Sequence, residues 1–186
     1  MFLVKVMSYR EALEYVYTYS GLRKYPKYAI ISIQEPTYGY GIGLEMKVGG
    51  NCLAALNIEF GDVTPAMIKE TDNDSNEIKH QLMTMKQAHR IHDFVETLPK
   101  EVQLLIVHCS AGISRSAGVA AAILKAKTND DSQIFNSDKY VPNMYVYYNV
   151  LEAYGLTNRY QTDIFDNEYN KIWNSEKRMS INLHEL

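Results

Sequence analysis

Cysteine is scarce in this chain, with two among 186 residues, and tryptophan occurs once. So few cysteines exclude a disulfide-stapled secreted scaffold and favour a reducing compartment. No apolar run approaches the ~20 residues that a membrane-spanning helix needs. Residues 1–6 are too short to form the apolar core of a signal peptide. We therefore expect a cytoplasmic protein.

An excess of charge of one sign is also lacking, because 19 basic side chains stand against 22 acidic ones and the net charge is −3. This balance predicts neither a nucleic-acid binder nor a membrane-surface binder. No internal repeat, low-complexity tract or long linker divides the chain, and its length suffices for one hydrophobic core. We expect a single domain over residues 1–186, with a frayed tail at 176–186.

The most informative stretch is HCSAGISRS, from His108 to Ser116. The apolar run 104–107 precedes it and predicts a buried strand. Residues 117–124 are small or apolar and predict the start of a buried helix. A loop that closes onto a helix N-terminus gathers several backbone N–H groups into a small cup, which favours an anion together with the helix dipole. Cys109 therefore lies in a predicted anion site.

Three residues of this loop suit phosphate chemistry. The planar fork of Arg115 matches two phosphate oxygens at once, and Gly112 allows a backbone conformation that a Cβ would hinder. The donors around Cys109 favour the thiolate, so we expect a lowered pKa. A cysteine after a strand is by itself usually a buried small residue. The combination places a nucleophile against a bound phosphate ester.

His-Cys-x5-Arg-Ser between an apolar strand and an Ala-rich helix resembles the signature of cysteine-dependent protein tyrosine phosphatases. The variant HCxAGxxRS is most similar to compact dual-specificity-type and bacterial members. The nine-residue motif carries the resemblance, and a looser similarity extends over about residues 29–154. The resemblance implies a phosphatase that hydrolyses phosphate monoesters through a phosphocysteine, foremost phosphotyrosine in a protein or peptide, without a cofactor. The alternatives are phosphoserine or phosphothreonine, a phosphoinositide, an RNA end, or a non-catalytic phosphate-binding module.

The same resemblance gives roles to the residues of the motif. Cys109 is the nucleophile and Arg115 binds the phosphate. Ser116 would hydrogen-bond the sulfur and help it leave in the second step, and His108 would orient the loop and tune the thiol. The remaining loop residues would supply mostly backbone N–H groups: Ser110, Ala111, Gly112, Ile113 and Ser114.

The leaving oxygen needs a proton, which a nearby carboxylic acid can give, and the resemblance implies an Asp on a loop upstream of the nucleophile. Asp62 follows the predicted strand 53–60, which is the equivalent place in the resembled family, but it lies 47 residues before Cys109. Asp72 and Asp74 lie 37 and 35 residues before it, closer to the spacing of compact family members. Asp62 is preferred because a strand end fixes its direction, whereas the other two have no strand to aim them.

Other features carry weaker signals. Asn143 could position the hydrolytic water, although an Asn before a helix is usually a cap. Cys52 could form a redox disulfide with Cys109 or be a buried small residue. Five glycines between residues 38 and 50 predict a surface loop or hairpin rather than a nucleotide site, because no helix follows them. The histidines form no ligand set with Cys109, and we predict no metal.

Alternating apolar and amphipathic segments predict an α/β fold with a mainly parallel sheet and helices on both faces, as in protein tyrosine phosphatases. Cys109 then falls beyond the carboxyl end of a strand, where such folds bind ligands. A polar loop is expected over 128–138, and a short helix after the Thr64 cap. The predicted strands are 1–6, 28–33, 53–60 and 103–107, and the longer helices are 8–20, 77–98, the segment that Arg115 opens, 143–154 and 163–173.

Overall fold

A computed structural model describes residues 2–19, 25–36, 45–70 and 81–157, apart from the side chains of residues 69 and 70. Four strands and six helices lie within these ranges. The strands are β1 (Leu3–Ser8), β2 (Tyr28–Gln34), β3 (Cys52–Glu59) and β4 (Leu104–Cys109). The helices are α1 (Tyr9–Tyr19), α2 (Pro65–Glu70), α3 (Met85–Glu96), α4 (Arg115–Thr128), α5 (Ser132–Phe135) and α6 (Met144–Ala153).

The four strands form one sheet in the order β1-β4-β2-β3, and every pair of neighbouring strands is parallel. β4 therefore lies inside the sheet, between β1 and β2. Its register pairs Ser8 with Cys109 on one side and Ser32 with His108 on the other. The carboxyl ends of all four strands meet at one edge, so the residues that follow them are brought together. The predicted α/β fold with a parallel sheet is confirmed.

Helices cover both faces of the sheet. Alternate residues of β2 point to opposite faces: Ala29, Ile31 and Ile33 belong to one buried cluster, and Tyr28 and Ile30 belong to the other. The larger cluster holds α3, α4 and α6, and the smaller one holds α1. The buried run of small residues along α4 lets that helix approach both the sheet and α6.

Most predicted strands and helices begin and end within two residues of the observed ones, and the predicted caps are present. Ser8 and Glu11 form a reciprocal capping box, with N···O distances of 3.2 and 2.6 Å. Thr64 caps α2, which begins at Pro65. Asn143 caps α6 by accepting a hydrogen bond from the N–H of Val146 at 3.1 Å.

The structure differs from the prediction at one helix start and in one predicted loop. The apolar spacing predicted a helix over 77–98, but α3 begins only at Met85, because Thr84 caps it. The predicted polar loop at 128–138 contains the short helix α5, whose Ile134 is buried in the larger core cluster. The predicted helix 163–173, the tail 176–186, residues 71–80 and most of the glycine-rich segment lie outside the described residues.

In the described part of the chain, no helix combines the length and the apolar character that a membrane crossing requires.

The cap of α3 gives a stability prediction. Thr84 Oγ1 accepts the Gln87 N–H at 3.3 Å, and the Gln87 side chain accepts the Thr84 N–H at 2.7 Å. Thr84→Ala removes the hydroxyl acceptor, so the free energy of unfolding should fall by about 1 kcal/mol. Urea denaturation measures it, with Thr84→Ser as the matched control that keeps the cap. Equal stability of the Ala and Ser variants would show that the cap contributes nothing.

Candidate phosphate-binding site

The loop after β4 is fixed from outside through its carbonyl groups. The Ser110 carbonyl accepts the Tyr9 N–H at 3.2 Å, and the Ile113 carbonyl accepts the Val141 N–H at 3.1 Å. The Ser114 carbonyl accepts the N–H groups of Gly118 and Asn143, at 2.8 and 3.2 Å. In the described part of the chain, four loop N–H groups donate to no acceptor, namely those of Ser110, Ala111, Ile113 and Ser114. A loop with its carbonyls occupied and its amides unused is suited to an anion.

Gly112 makes this loop conformation possible. Its φ is +72°, in the region that side chains with a Cβ rarely adopt. A Cβ at this position would lie 2.4 Å from the backbone nitrogen of Ser8 and 2.5 Å from the carbonyl carbon of Met7. The positive φ agrees with the backbone conformation predicted for this glycine. The loop also packs directly on the end of β1, which the sequence did not predict.

The Cys109 thiol lies buried at the base of the loop, with the residue 2% exposed. Its Sγ is 3.1 Å from Ser116 Oγ and accepts the Gly112 N–H at 3.3 Å. Burial by itself raises the pKa of this thiol. The side-chain and backbone hydrogen bonds from Ser116, the Gly112 N–H and the charge of Arg115 together outweigh burial, so the pKa of Cys109 lies below its ordinary value.

Arg115 opens α4 and is almost fully buried, with a side chain that is 4% exposed. Its Nη1 donates to the Phe60 carbonyl at 2.9 Å, and its Nη2 donates to Ser110 Oγ at 3.1 Å and to the carboxylate of Glu35. The remaining guanidinium nitrogen, Nε, is buried and has no partner among the described residues. A buried donor left unpaired costs free energy unless a ligand fills it, and Nε belongs to the side chain that the sequence assigns to phosphate.

Asp62 lies beyond the end of β3 and is held by two side chains. Its Oδ1 accepts the Ser114 hydroxyl at 2.8 Å and the Asn143 amide at 2.9 Å. Asn143 is buried just before the start of α6. This end of α6 lies so close to α4 that a Cβ on Gly118 would be 2.6 Å from the Asn143 carbonyl oxygen. The sequence placed Asp62 at this edge but did not foresee its contact with Asn143. Asp72 and Asp74 lie outside the described residues.

His108 points to the other face of the sheet, where its ring lies 5.9 Å from the ring of Tyr9. Neither ring nitrogen makes a well-formed hydrogen bond within the described residues. Burial lowers the pKa of His108 to about 4, against a weaker opposing contact with the Cys109 backbone. The imidazole is therefore neutral at pH 7. That His108 orients the loop and tunes the thiol, as the resemblance implies, stays a prediction.

Cys52 cannot reach the nucleophile. Tyr28 is in register with both Cys52 and Leu104, so Cys52 lies at the opposite end of the sheet from Cys109. Five residues of β4 separate these levels, which is about 17 Å at the rise of a parallel strand. A disulfide needs Cα atoms within about 7 Å. The alternative of a buried small residue is the one that the structure supports, since Cys52 is 3% exposed.

The sequence reasoning missed two groups that hold Arg115. One is the Phe60 carbonyl, which no sequence pattern reveals. The other is Glu35, the first residue beyond β2, whose side chain is 55% exposed. The signal for Glu35 was present, because it follows a strand at the same edge of the sheet, as Asp62 does.

The described residues contain no cluster of His, Cys, Asp and Glu side chains that could hold a metal ion.

Neither the protein-family profiles nor the curated proteins include a match to this chain. Solved structures similar to it include PTPMT1 in complex with PI(5)P, with 14% identity, a TM-score of 0.49, and coverage of 82% of this chain and 90% of that one. Another is a crystal structure of PTPMT1, with 13% identity, a TM-score of 0.45, and coverage of 89% and 95%. At these identities and TM-scores, the structural similarity does not indicate an activity.

The contacts of Cys109 give a prediction about its titration. Ser116→Ala removes the hydroxyl that stabilises the thiolate while burial remains, so the pKa of Cys109 should rise. The pH dependence of alkylation by iodoacetamide, followed at Cys109 by mass spectrometry, measures it. Ser110→Ala is the matched control, because that hydroxyl contacts Arg115 and Glu35 rather than the sulfur. An unchanged alkylation profile in Ser116→Ala would contradict the assigned hydrogen bond.

Proposed function

We propose that this protein is a cysteine-dependent phosphatase that hydrolyses phosphate monoesters through a phosphocysteine, with phosphotyrosine in proteins as its preferred substrate. One observation carries the proposal: a thiol of lowered pKa lies beside a buried guanidinium whose Nε–H has no partner among the described residues. A phosphate oxygen is an acceptor that matches this donor in both charge and geometry. The four unused loop N–H groups, those of Ser110, Ala111, Ile113 and Ser114, supply further donors to the same anion.

In the first step, the Cys109 thiolate attacks phosphorus, an S–P bond forms, and the bond from phosphorus to the ester oxygen breaks. Negative charge grows on the non-bridging oxygens, and the Arg115 Nε–H and the loop N–H groups stabilise it. Because these donors are fixed before substrate binds, they cost no reorganisation at the transition state. In the second step, water attacks phosphorus, the S–P bond breaks, and the Ser116 hydroxyl stabilises the departing thiolate.

Asp62 is the proton donor in this proposal. Both of its described hydrogen-bond donors, Ser114 and Asn143, are bound to Oδ1, so an acidic proton would reside on Oδ2. That proton passes to the leaving oxygen in the first step, and Asp62 takes a proton from water in the second. The Ser114 contact supports this role because it ties the carboxyl group to the loop that would hold the phosphate.

The preference for an aromatic ester is supported by the surface of the loop. Ile113 is 40% exposed although it is a large apolar side chain, and it offers an apolar surface beside the cup. Within residues 108–116, Arg115 is the only side chain with a permanent positive charge. A substrate with one phosphate on an apolar ring matches these features better than a headgroup with several phosphates.

The nucleophile and the guanidinium are tested together. Cys109→Ser should abolish turnover of phosphotyrosine peptides but retain phosphate or tungstate binding, because Arg115 and the backbone remain. Arg115→Lys should lower kcat/KM by about 10²–10³-fold, since an ammonium cannot hold the Phe60 carbonyl and Glu35 while it also donates to phosphate, as the planar guanidinium does. Turnover measured on phosphopeptides, a phosphoinositide and a phosphorylated RNA end sets the substrate class. Binding without turnover in the wild-type protein would instead make this chain a phosphate-binding module.

The proton donor is tested by the dependence on leaving group. Asp62→Asn should slow an aryl phosphate with a poor leaving group by about 10²–10⁴-fold and one with a good leaving group much less. Asn143→Ser keeps an oxygen that can cap α6 but removes the amide that contacts Asp62, so it should show the same trend more weakly. Asp72→Asn and Asp74→Asn are the controls. A steeper dependence in either of these, with none in Asp62→Asn, would transfer the role to that residue.

A further inference from the structure

A cavity of about 440 Å³ lies at the carboxyl ends of β2 and β3, on the same edge of the sheet as the Cys109 loop. Two of its lining residues, Gln34 and Glu59, directly precede the groups that hold Arg115, namely Glu35 and the Phe60 carbonyl. Two strand spacings separate β3 from β4, which places the cavity roughly 10 Å from Cys109. The lining is formed by Gln34, Pro36, Glu45, Asn57, Ile58, Glu59, Gln87 and Arg90.

The walls of this cavity are anchored. The Asn57 side chain accepts the N–H of Met46 and donates to its carbonyl, both at 3.0 Å, which fixes the segment that carries Glu45. The Gln87 side chain donates to the Glu59 carbonyl. Glu59 therefore extends from the end of β3, and Glu45 extends from a segment that Asn57 of β3 holds in place.

Carboxylates outnumber cations around the cavity. Glu45 and Glu59 are exposed, and neither forms an ion pair with a described residue. Arg90 is the cation of the lining, and its Nη2 donates to the Asn57 carbonyl at 3.3 Å. Glu35 lies between the cavity and Arg115, but its charge is paired with that guanidinium and adds nothing to the excess. Lys86 is exposed on the same helix but does not line the cavity.

We propose that this cavity receives a positively charged group of the substrate, so that the enzyme prefers a phosphate monoester with a cation close to the phosphate. In a phosphotyrosine peptide this group would be a Lys or Arg beside the phosphotyrosine. Each carboxylate attracts such a cation and repels a second phosphate at the same distance. The proposal rests on the proposed phosphatase function and specifies its substrate class.

The test compares phosphotyrosine peptides that carry Lys, Ala or Glu at successive positions on either side of the phosphotyrosine. At the best position, Lys should raise kcat/KM about 3- to 10-fold over Ala, and Glu should lower it, as expected for unit charges near a protein surface. The preference should shrink as salt is added, because the carboxylates are exposed. Affinities of the same peptides for Cys109→Ser give the binding component separately from chemistry.

Three variants locate the effect. Glu45→Gln and Glu59→Gln should each reduce the Lys preference, whereas Arg90→Gln should increase it. Glu101→Gln is the matched control, because Glu101 is exposed and precedes β4 at the opposite end of the sheet. It changes net charge equally and should leave the preference unaltered.

Equal kcat/KM for the Lys, Ala and Glu peptides would overturn the proposal, and so would a preference for Glu, which would mean that Arg90 governs the cavity. A loss of the Lys preference in Glu101→Gln equal to that in Glu59→Gln would also overturn it, since net charge alone would then account for the effect. These results leave the phosphatase function intact. Absence of Cys109-dependent turnover on every peptide and lipid would refute the function itself and the proposal with it.

Discussion

The carboxyl edge of this sheet depends on one buried positive charge. The Arg115 guanidinium is removed from water, and burying a cation costs free energy that acceptors and an opposite charge must offset. Its partners come from three strand ends: the Phe60 carbonyl beyond β3, Glu35 beyond β2 and Ser110 beyond β4. One side chain therefore joins three adjacent segments. Because Glu35 is more than half exposed, its ion pair contributes less than the buried hydrogen bond to Phe60.

The same edge is braced from the helical side. The close approach of α4 and α6, which Gly118 permits, brings Asn143 within hydrogen-bond distance of Asp62. Asn143 thus has two tasks, because its oxygen caps α6 while its amide holds a carboxylate from the far end of β3. The sheet, the loop and both helices meet around Asp62 and Ser114, so the position of Asp62 is determined by packing rather than by its own short segment.

Local patterns in the sequence were enough to predict the strands, most of the helices and the loop that follows β4. The apolar run before Cys109, the Ala-rich run after Arg115 and the glycine between them each act over a few residues, and those predictions match the structure. The start of α3 was misplaced because apolar spacing continued past the Thr84 cap, and α5 was missed because four residues are too few to show a period. Contacts such as Glu35 with Arg115 join residues 80 positions apart. The position of Glu35 after a strand indicated its edge of the sheet, but no local pattern indicated which side chain it would contact.

The buried, neutral imidazole of His108 has a consequence for the protein in acid. Its folded-state pKa is about 4, whereas an unfolded chain titrates with the ordinary histidine value near 6.5. The unfolded state therefore takes up this proton first as pH falls, so folding is progressively disfavoured between pH 6.5 and about 4. The difference corresponds to at most about 3 kcal/mol, a large share of a typical domain's stability. His108, the residue directly before the nucleophile, thus lowers the free energy of unfolding of the whole domain in mild acid.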